Sequence, residues 1–263
     1  MTTAALPPAA GRRLVFLHVA KTGGTTLDHH FAKAFAPDEI CPRNIDLHQL
    51  PPDDLARYRY FSGHFVYDQL RLIPGPIFTV TVLRNPAERV ISNYYFLKRH
   101  TPQHLASHPI PAADIARRCP DLLTFLRRPE LEIRFLIENT MARQLAGIVH
   151  VVEGGGYVYR AAGRGIPMSE LEIMHRATGA LLAIDVVGFT HDLASVYARV
   201  ALAFGMPQQI ELARLNTRSE TSASLEPVAD EPVTEEARRE LSRLTNLDRS
   251  LYQLARAHVA MRR

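Results

Sequence analysis

The apolar positions of this chain fall into runs that alternate between two periods. Leu14-Val15-Phe16-Leu17-His18-Val19 is almost continuously apolar and β-prone, the pattern of a strand buried on both faces of a parallel sheet. After the turn Lys21-Thr22-Gly23-Gly24, Leu27, Phe31 and Ala34/Phe35 recur at helical spacing up to Pro37, which predicts strand, glycine turn, helix. Residues 37–58 read as loop, broken by Pro42, Pro51 and Pro52. A short strand is predicted at Arg59-Tyr60-Phe61-Ser62, leading into Gly63-His64-Phe65. Ile77–Leu83 repeats the buried-strand pattern and is followed by Arg84-Asn85-Pro86 and a helix from about Ala87 to Arg99. Pro86 suits the first helical turn, where its missing N–H would have no partner. Residues 101–180 read as mostly helical, interrupted by prolines and by Gly154-Gly155-Gly156. A further strand over Ala183–Gly188 precedes a helix over about Asp192–Phe204, and then comes the polar loop Asn216–Ser222. The sequence after Thr234 is helical, with the Thr234 hydroxyl as cap and Glu235 and Glu236 at the positive end. Strands alternating with helices predict an α/β fold of three layers, with a central, mainly parallel sheet flanked by helices.

Composition narrows the class. With 263 residues, 46% hydrophobic and 22% charged, the chain is an ordinary globular protein, which excludes disorder, collagen-like repeats and a disulfide scaffold. One domain is expected over 13–263, after a flexible Ala/Pro-rich stretch over 1–12. No apolar run approaches the roughly 18 residues that span a bilayer. The N-terminus carries neither a basic nor a hydrophobic leader segment, so a soluble, cytoplasmic protein is expected. Cys41 and Cys119 lack the spacing of a zinc or redox pair and read as unpaired thiols, and His29-His30 lack the companions of a zinc site. A net charge of +4 favours an anionic ligand without demanding nucleic acid. The arginine pairs 117–118, 127–128 and 238–239 read as solvated faces. Lysine occurs only at 21, 33 and 98 in a chain otherwise biased to arginine, which singles out Lys21 in the glycine turn.

That turn is where chemistry is expected. Small residues between a buried strand and a helix aim backbone N–H groups at the helix's positive end, an anion site to which Lys21 adds a full charge and Thr25 and Thr26 add hydroxyls. The Walker order is absent, because the lysine precedes the glycines and no acidic partner for a metal follows. The whole string His18-Val19-Ala20-Lys21-Thr22-Gly23-Gly24-Thr25-Thr26-Leu27 resembles the sulfotransferase superfamily. Its first strand-turn-helix binds the 5′-phosphosulfate of 3′-phosphoadenosine 5′-phosphosulfate (PAPS), and the resemblance implies a P-loop-like fold. It also implies a second site for the 3′-phosphate, and Leu83-Arg84-Asn85-Pro86-Ala87-Glu88-Arg89-Val90-Ile91-Ser92 supplies it through Arg84 and Ser92. Taken alone, Arg84 also reads as a surface ion-pair partner and Ser92 as an ordinary helix serine.

Ser62-Gly63-His64-Phe65-Val66-Tyr67, followed by Arg84 and Tyr94-Tyr95-Phe96-Leu97, looks most like the heparan and uronyl 2-O-sulfotransferases and their bacterial relatives. In that family a Gly-His segment carries the catalytic base, which here maps onto His64. His18 reads as a strand-end residue that packs or orients the loop. Asn139–Gly147, Asp185–Gly188 and Asn246-Leu247-Asp248 with Leu251-Tyr252 are similar to further family segments, and 216–222, with Arg218, sits where the family places a loop over the cofactor. Asn85 stands where the family more often has aspartate, and Gly154–Arg164 reads as an insertion.

The resemblance implies PAPS as donor, PAP as product, no required metal, and a hydroxylated acceptor, favoured as a saccharide. A lipid or a small hydroxylated metabolite stays open as acceptor, with no nucleic acid and no membrane span expected. The acceptor site is expected within 37–75 and 101–180. The implied cofactor-binding set is Lys21, Thr22, Gly23, Gly24, Thr25, Thr26, Arg84, Ser92 and Arg218, with Lys21 and His64 catalytic. Two other classes fit parts of the pattern: a P-loop kinase or nucleotide hydrolase using ATP and magnesium, and a non-catalytic module that binds PAP.

Overall fold

Arg13–Leu17 (β1), Tyr60–Gly63 (β2), Ile77–Leu83 (β3) and Val186–Phe189 (β6) form one sheet in the order β2-β1-β3-β6, with every pairing parallel. They belong to a computed structural model that describes residues 9, 11–42, 47–153, 156–161, 168–208 and 221–262. The helices are α1 (Gly24–Ala32), α2 (Pro52–Arg57), α3 (Pro86–Lys98), α4 (Pro102–Ser107), α5 (Pro111–Arg118) and α6 (Leu122–Leu126). They continue with α7 (Leu131–Ile137), α8 (Thr140–Leu145), α9 (Glu170–Ala183), α10 (Leu193–Phe204), α11 (Glu235–Leu244) and α12 (Asn246–Met261).

The strands are apolar at successive positions because both faces of the sheet are covered. Leu14, Phe16, Phe78, Val80 and Val82 pack with Leu27 and Phe31 of α1 and Val196, Tyr197 and Val200 of α10. Val15, Leu17 and Leu83 pack instead with Met141 and Leu145 of α8, Ile173 and Leu181 of α9 and Leu251 of α12. These are the three layers that the alternation of elements predicts. A separate cluster joins α3, α5, α6, α7 and α11 through Tyr94, Ala113, Phe125, Ile133 and Leu241.

The boundaries differ from expectation at informative places. Residues 148–161 are not helical: β4 (Ile148–Glu153) and β5 (Gly156–Ala161) pair antiparallel, Val151 opposite Val158 and Val152 opposite Tyr157. Valines and tyrosines around glycines favour a hairpin over a helix, and the segment read as an insertion is largely its second strand. Near the N-terminus, Ala9 is buried and its N–H donates to Ala203 O at 3.0 Å, so packed structure reaches into the stretch expected to be flexible. Arg12 donates to Ile77 O and pairs with Asp185, each at 2.8 Å. The terminal helical region is two helices broken at Thr245, and the Thr234 cap is present, its hydroxyl accepting from Ala237 N at 3.1 Å. Cys41 and Cys119 are buried and unpaired, and burial pushes the Cys41 thiol up to about 11. Among the described residues, no helix is long and apolar enough to cross a membrane.

Candidate active site

The site is assembled by strand register. Leu17 pairs with Gly63 on one side and with Thr81 on the other, so β1, β2 and β3 end close together. The residues that follow are His18, His64 and Arg84, at the carboxyl edge where ligands of open parallel sheets bind. His18 N donates to Gly63 O at 3.0 Å, continuing the ladder one step and drawing His64 alongside. The two imidazoles lie 4.7 Å apart between centroids.

The turn after β1 is held in an uncommon shape. Lys21 and Gly23 both have positive φ, 68° and 83°, and a lysine stays there only when its surroundings hold it. They do: Thr22 Oγ1 donates to Val19 O at 2.8 Å, Thr190 Oγ1 donates to Thr22 O at 2.7 Å, and an Arg84 guanidinium N–H donates to Lys21 O at 3.3 Å. Gly23 serves as the N-cap of α1, with no side-chain cap and no acidic residue in the first turn. Those N–H groups and the helix dipole thus suit an anion.

The absence of a Cβ at Gly24 is a steric requirement. A methyl there would lie 2.2 Å from the His18 ring, which also stacks on Phe16 at 5.3 Å. Gly24→Ala is therefore expected to lower unfolding stability by about 1–3 kcal/mol, the usual cost of overpacking, read from denaturant melts. A variant as stable as the parent would show that His18 has room to yield.

Charge at the site is governed by burial. Lys21 is lowered to about 8, mainly by desolvation and then by Arg84 and Arg99, and its ammonium sits 3.7 Å from the Phe96 ring centroid. His18 is lowered to about 3 by burial, with His64 and Lys21 adding to the effect, so it is neutral at pH 7. His64 is exposed, and its Nδ1 lies 2.7 Å from His18 O. A carbonyl only accepts, so Nδ1 carries the proton, and in the neutral ring Nε2 is the basic nitrogen.

Of the residues expected at this site, Lys21, Thr22, Gly23 and Gly24 form the turn, with Thr25 exposed and Thr26 buried in the first turn of α1. Arg84 makes the ion pair of its alternative reading, with Glu88 at 3.4 Å, and also reaches Lys21 O. Ser92 is half-buried on α3. Asn85 caps α3 by accepting from Glu88 N at 3.3 Å, a bond an aspartate would also make. Arg218 and most of 216–222 lie outside the described residues.

Other contributors were not singled out from the sequence. Arg99, buried, donates from Nε to Glu226 O at 3.1 Å and adds positive charge beside Lys21. Gln144 on α8 donates to His18 O at 3.2 Å and to Phe65 O at 2.9 Å. The signal for Gln144 was its place within Asn139–Gly147, a segment chosen for its other letters.

A cavity of about 690 Å³ lies elsewhere, where β3 begins, lined by Arg12, Tyr67, Asp68, Arg71, Thr79 and Asp185 among others. Its carboxylates are each paired, Asp185 with Arg12 and Asp68 with Arg176, and it lacks the converging donors of the glycine turn. Among the described residues, no group of three or more His, Cys, Asp or Glu is arranged to hold a metal ion.

No protein-family profile matches the chain. Over 86 residues it is 37% identical to a protein-tyrosine sulfotransferase of Arabidopsis thaliana, a match covering 32% of this chain and 17% of that protein's length. The match supports a sulfotransferase relationship.

Proposed function

We propose that this chain is a sulfotransferase that moves a sulfuryl group from PAPS to a hydroxyl of an acceptor. The observation that carries the reading is the convergence of the carboxyl ends of β1, β2 and β3, β1 and β2 ending in register and β3 running two residues further. It sets a lysine-bearing helix N-terminus, a histidine with a basic Nε2 and a strand-end arginine at one edge of the sheet. The donor set suits a ligand with two separated anionic groups: the N–H groups of the turn with Lys21 for the 5′ end, and Arg84 with Ser92 for the 3′-phosphate. PAPS supplies a sulfuryl group already joined to a phosphate leaving group. Lys21 and the first N–H groups of α1 neutralise charge growing on that phosphate, and His64 Nε2 takes the proton of the attacking hydroxyl. As in phosphoryl transfer, positioning and electrostatics carry the work.

The acceptor hydroxyl has two candidates of different chemistry. The Arabidopsis relative is named for tyrosine, and the resemblance of the Gly63-His64 segment points to a saccharide. Labelled PAPS offered with tyrosine peptides and with uronate oligosaccharides, in chelator, separates them, and full activity without added metal is expected. Strict magnesium dependence with ATP turnover would replace the reading by a kinase-like one. PAP binding without transfer to any hydroxyl would leave a binding module.

Arg84→Ala is expected to weaken PAP binding by about ten- to a hundredfold, since a charge-assisted bond is worth roughly 1.5–3 kcal/mol, and to change 5′-AMP binding far less. Ser92→Ala should cost less. Equal losses for both nucleotides would remove Arg84 from recognition of the 3′-phosphate.

A further inference from the structure

His64 acts through a carbonyl that it shares. His18 O accepts from His64 Nδ1 at 2.7 Å and from Gln144 Nε2 at 3.2 Å, and the same Nε2 donates to Phe65 O at 2.9 Å. An amide NH₂ has two hydrogens, and two carbonyls use both. The reversed amide would set its oxygen against two acceptors, so only one orientation satisfies the group. Gln144 is 8% exposed, and an amide oxygen set against two carbonyl oxygens there would be costly.

Gln144 is itself held in place. At the N-terminus of α8, Asp248 accepts from Met141 N at 3.3 Å and from Ala142 N at 2.8 Å. In return, Asn139 Oδ1 accepts from Leu247 N at 3.0 Å and from Asp248 N at 3.2 Å at the start of α12. The fully buried Arg89 donates to Thr140 Oγ1 at 2.9 Å and to Leu136 O at 3.0 Å. These bonds lock α8 to α12 and α3, and the Gln144 amide carries that rigidity to the backbone on both sides of the imidazole contact.

We propose that Gln144 is a positioning residue for His64: by bridging His18 O and Phe65 O it keeps the imidazole proton on Nδ1 and leaves Nε2 as the base. The inference rests on the reading of His64 as the general base, but its test does not depend on turnover. In the full chain with ¹⁵N-labelled histidine, with His64 assigned from the spectrum of His64→Gln, neutral His64 is expected to show a protonated Nδ1 and a bare Nε2. Both side-chain amide protons of Gln144 should exchange slowly. In Gln144→Leu, which keeps the volume, and Gln144→Glu, which keeps the shape but not the donors, the ring should become a mixture of tautomers. Turnover should then fall about tenfold with PAP affinity unchanged, as for loss of an imidazole-orienting partner. A role in stability alone would lower the melting temperature without moving the tautomer ratio. The proposal is overturned if the parent His64 carries its proton on Nε2, which needs no variant to fold, or if both variants keep the parent's tautomer and turnover. Failure of sulfuryl transfer with every acceptor would overturn the proposed function while leaving the tautomer result to stand.

Discussion

His64→Ala is expected to lower turnover by about a hundredfold to ten-thousandfold, the usual contribution of a general base, while PAP affinity stays near the parent's. The split follows from geometry. The Nδ1 proton is committed to His18 O, so the ring has one nitrogen for chemistry, and the groups suited to the anion lie on the turn and α1. His18 cannot take over, because it is held down to about 3 and its ring is stacked on Phe16 and packed against Gly24. The check is single-turnover transfer beside equilibrium binding of PAP. Intact transfer would place the base elsewhere, and a parallel collapse of PAP binding would mean that His64 supports the turn and not the proton transfer.

Lys21→Ala is expected to cost about a hundredfold to a thousandfold in rate, the range for losing one preorganised donor at the developing charge. Its pH behaviour provides a second test. Burial and the neighbouring arginines lower the lysine from 10.5 to about 8, so the folded chain releases this proton earlier than the unfolded one. The unfolded state therefore binds more protons between about 8 and 10.5, and stability rises with pH across that window as the desolvated charge is lost. Anion binding has the opposite requirement, because only the ammonium neutralises phosphate. PAP affinity should thus fall as pH rises past about 8, with proton uptake on binding measurable by calorimetry in buffers of different ionisation heat. Lys21→Ala should remove both the uptake and this arm of the pH profile. A parent whose PAP binding is flat from pH 7 to about 10 would contradict a half-buried, titrating Lys21 at the anion site.

The strands were legible because their signal is local. A strand covered on both faces needs consecutive apolar residues; Leu14–Leu17 has them, and Ile77–Leu83 departs only at Thr79 and Thr81, whose buried hydroxyls are hydrogen-bonded. The glycine turn was legible for a similar reason, since a lysine among small residues between strand and helix has few structural uses. Tertiary structure then did what no run of letters shows: Leu17 opposite Gly63 makes neighbours of His18 and His64, and Arg84, just past the end of β3, reaches Lys21 O, although the three are 46 and 20 residues apart along the chain.

The long middle region was harder to read because its elements are short. The reading missed the 148–161 hairpin, since the prolines and glycines that mark loops within helical sequence also mark the turn of a hairpin. The meaning of Asn139–Gly147 and Asn246-Leu247-Asp248 lay outside sequence altogether. Resemblance flagged both segments, but that Asn139 caps one helix while Asp248 caps the other is a contact across more than a hundred residues. A capping side chain looks the same in sequence whether it serves its own helix or a distant one. Gln144 shows the same limit: an amide is an ordinary helical residue until folding sets two carbonyls against it, and its role is defined by what those carbonyls hold.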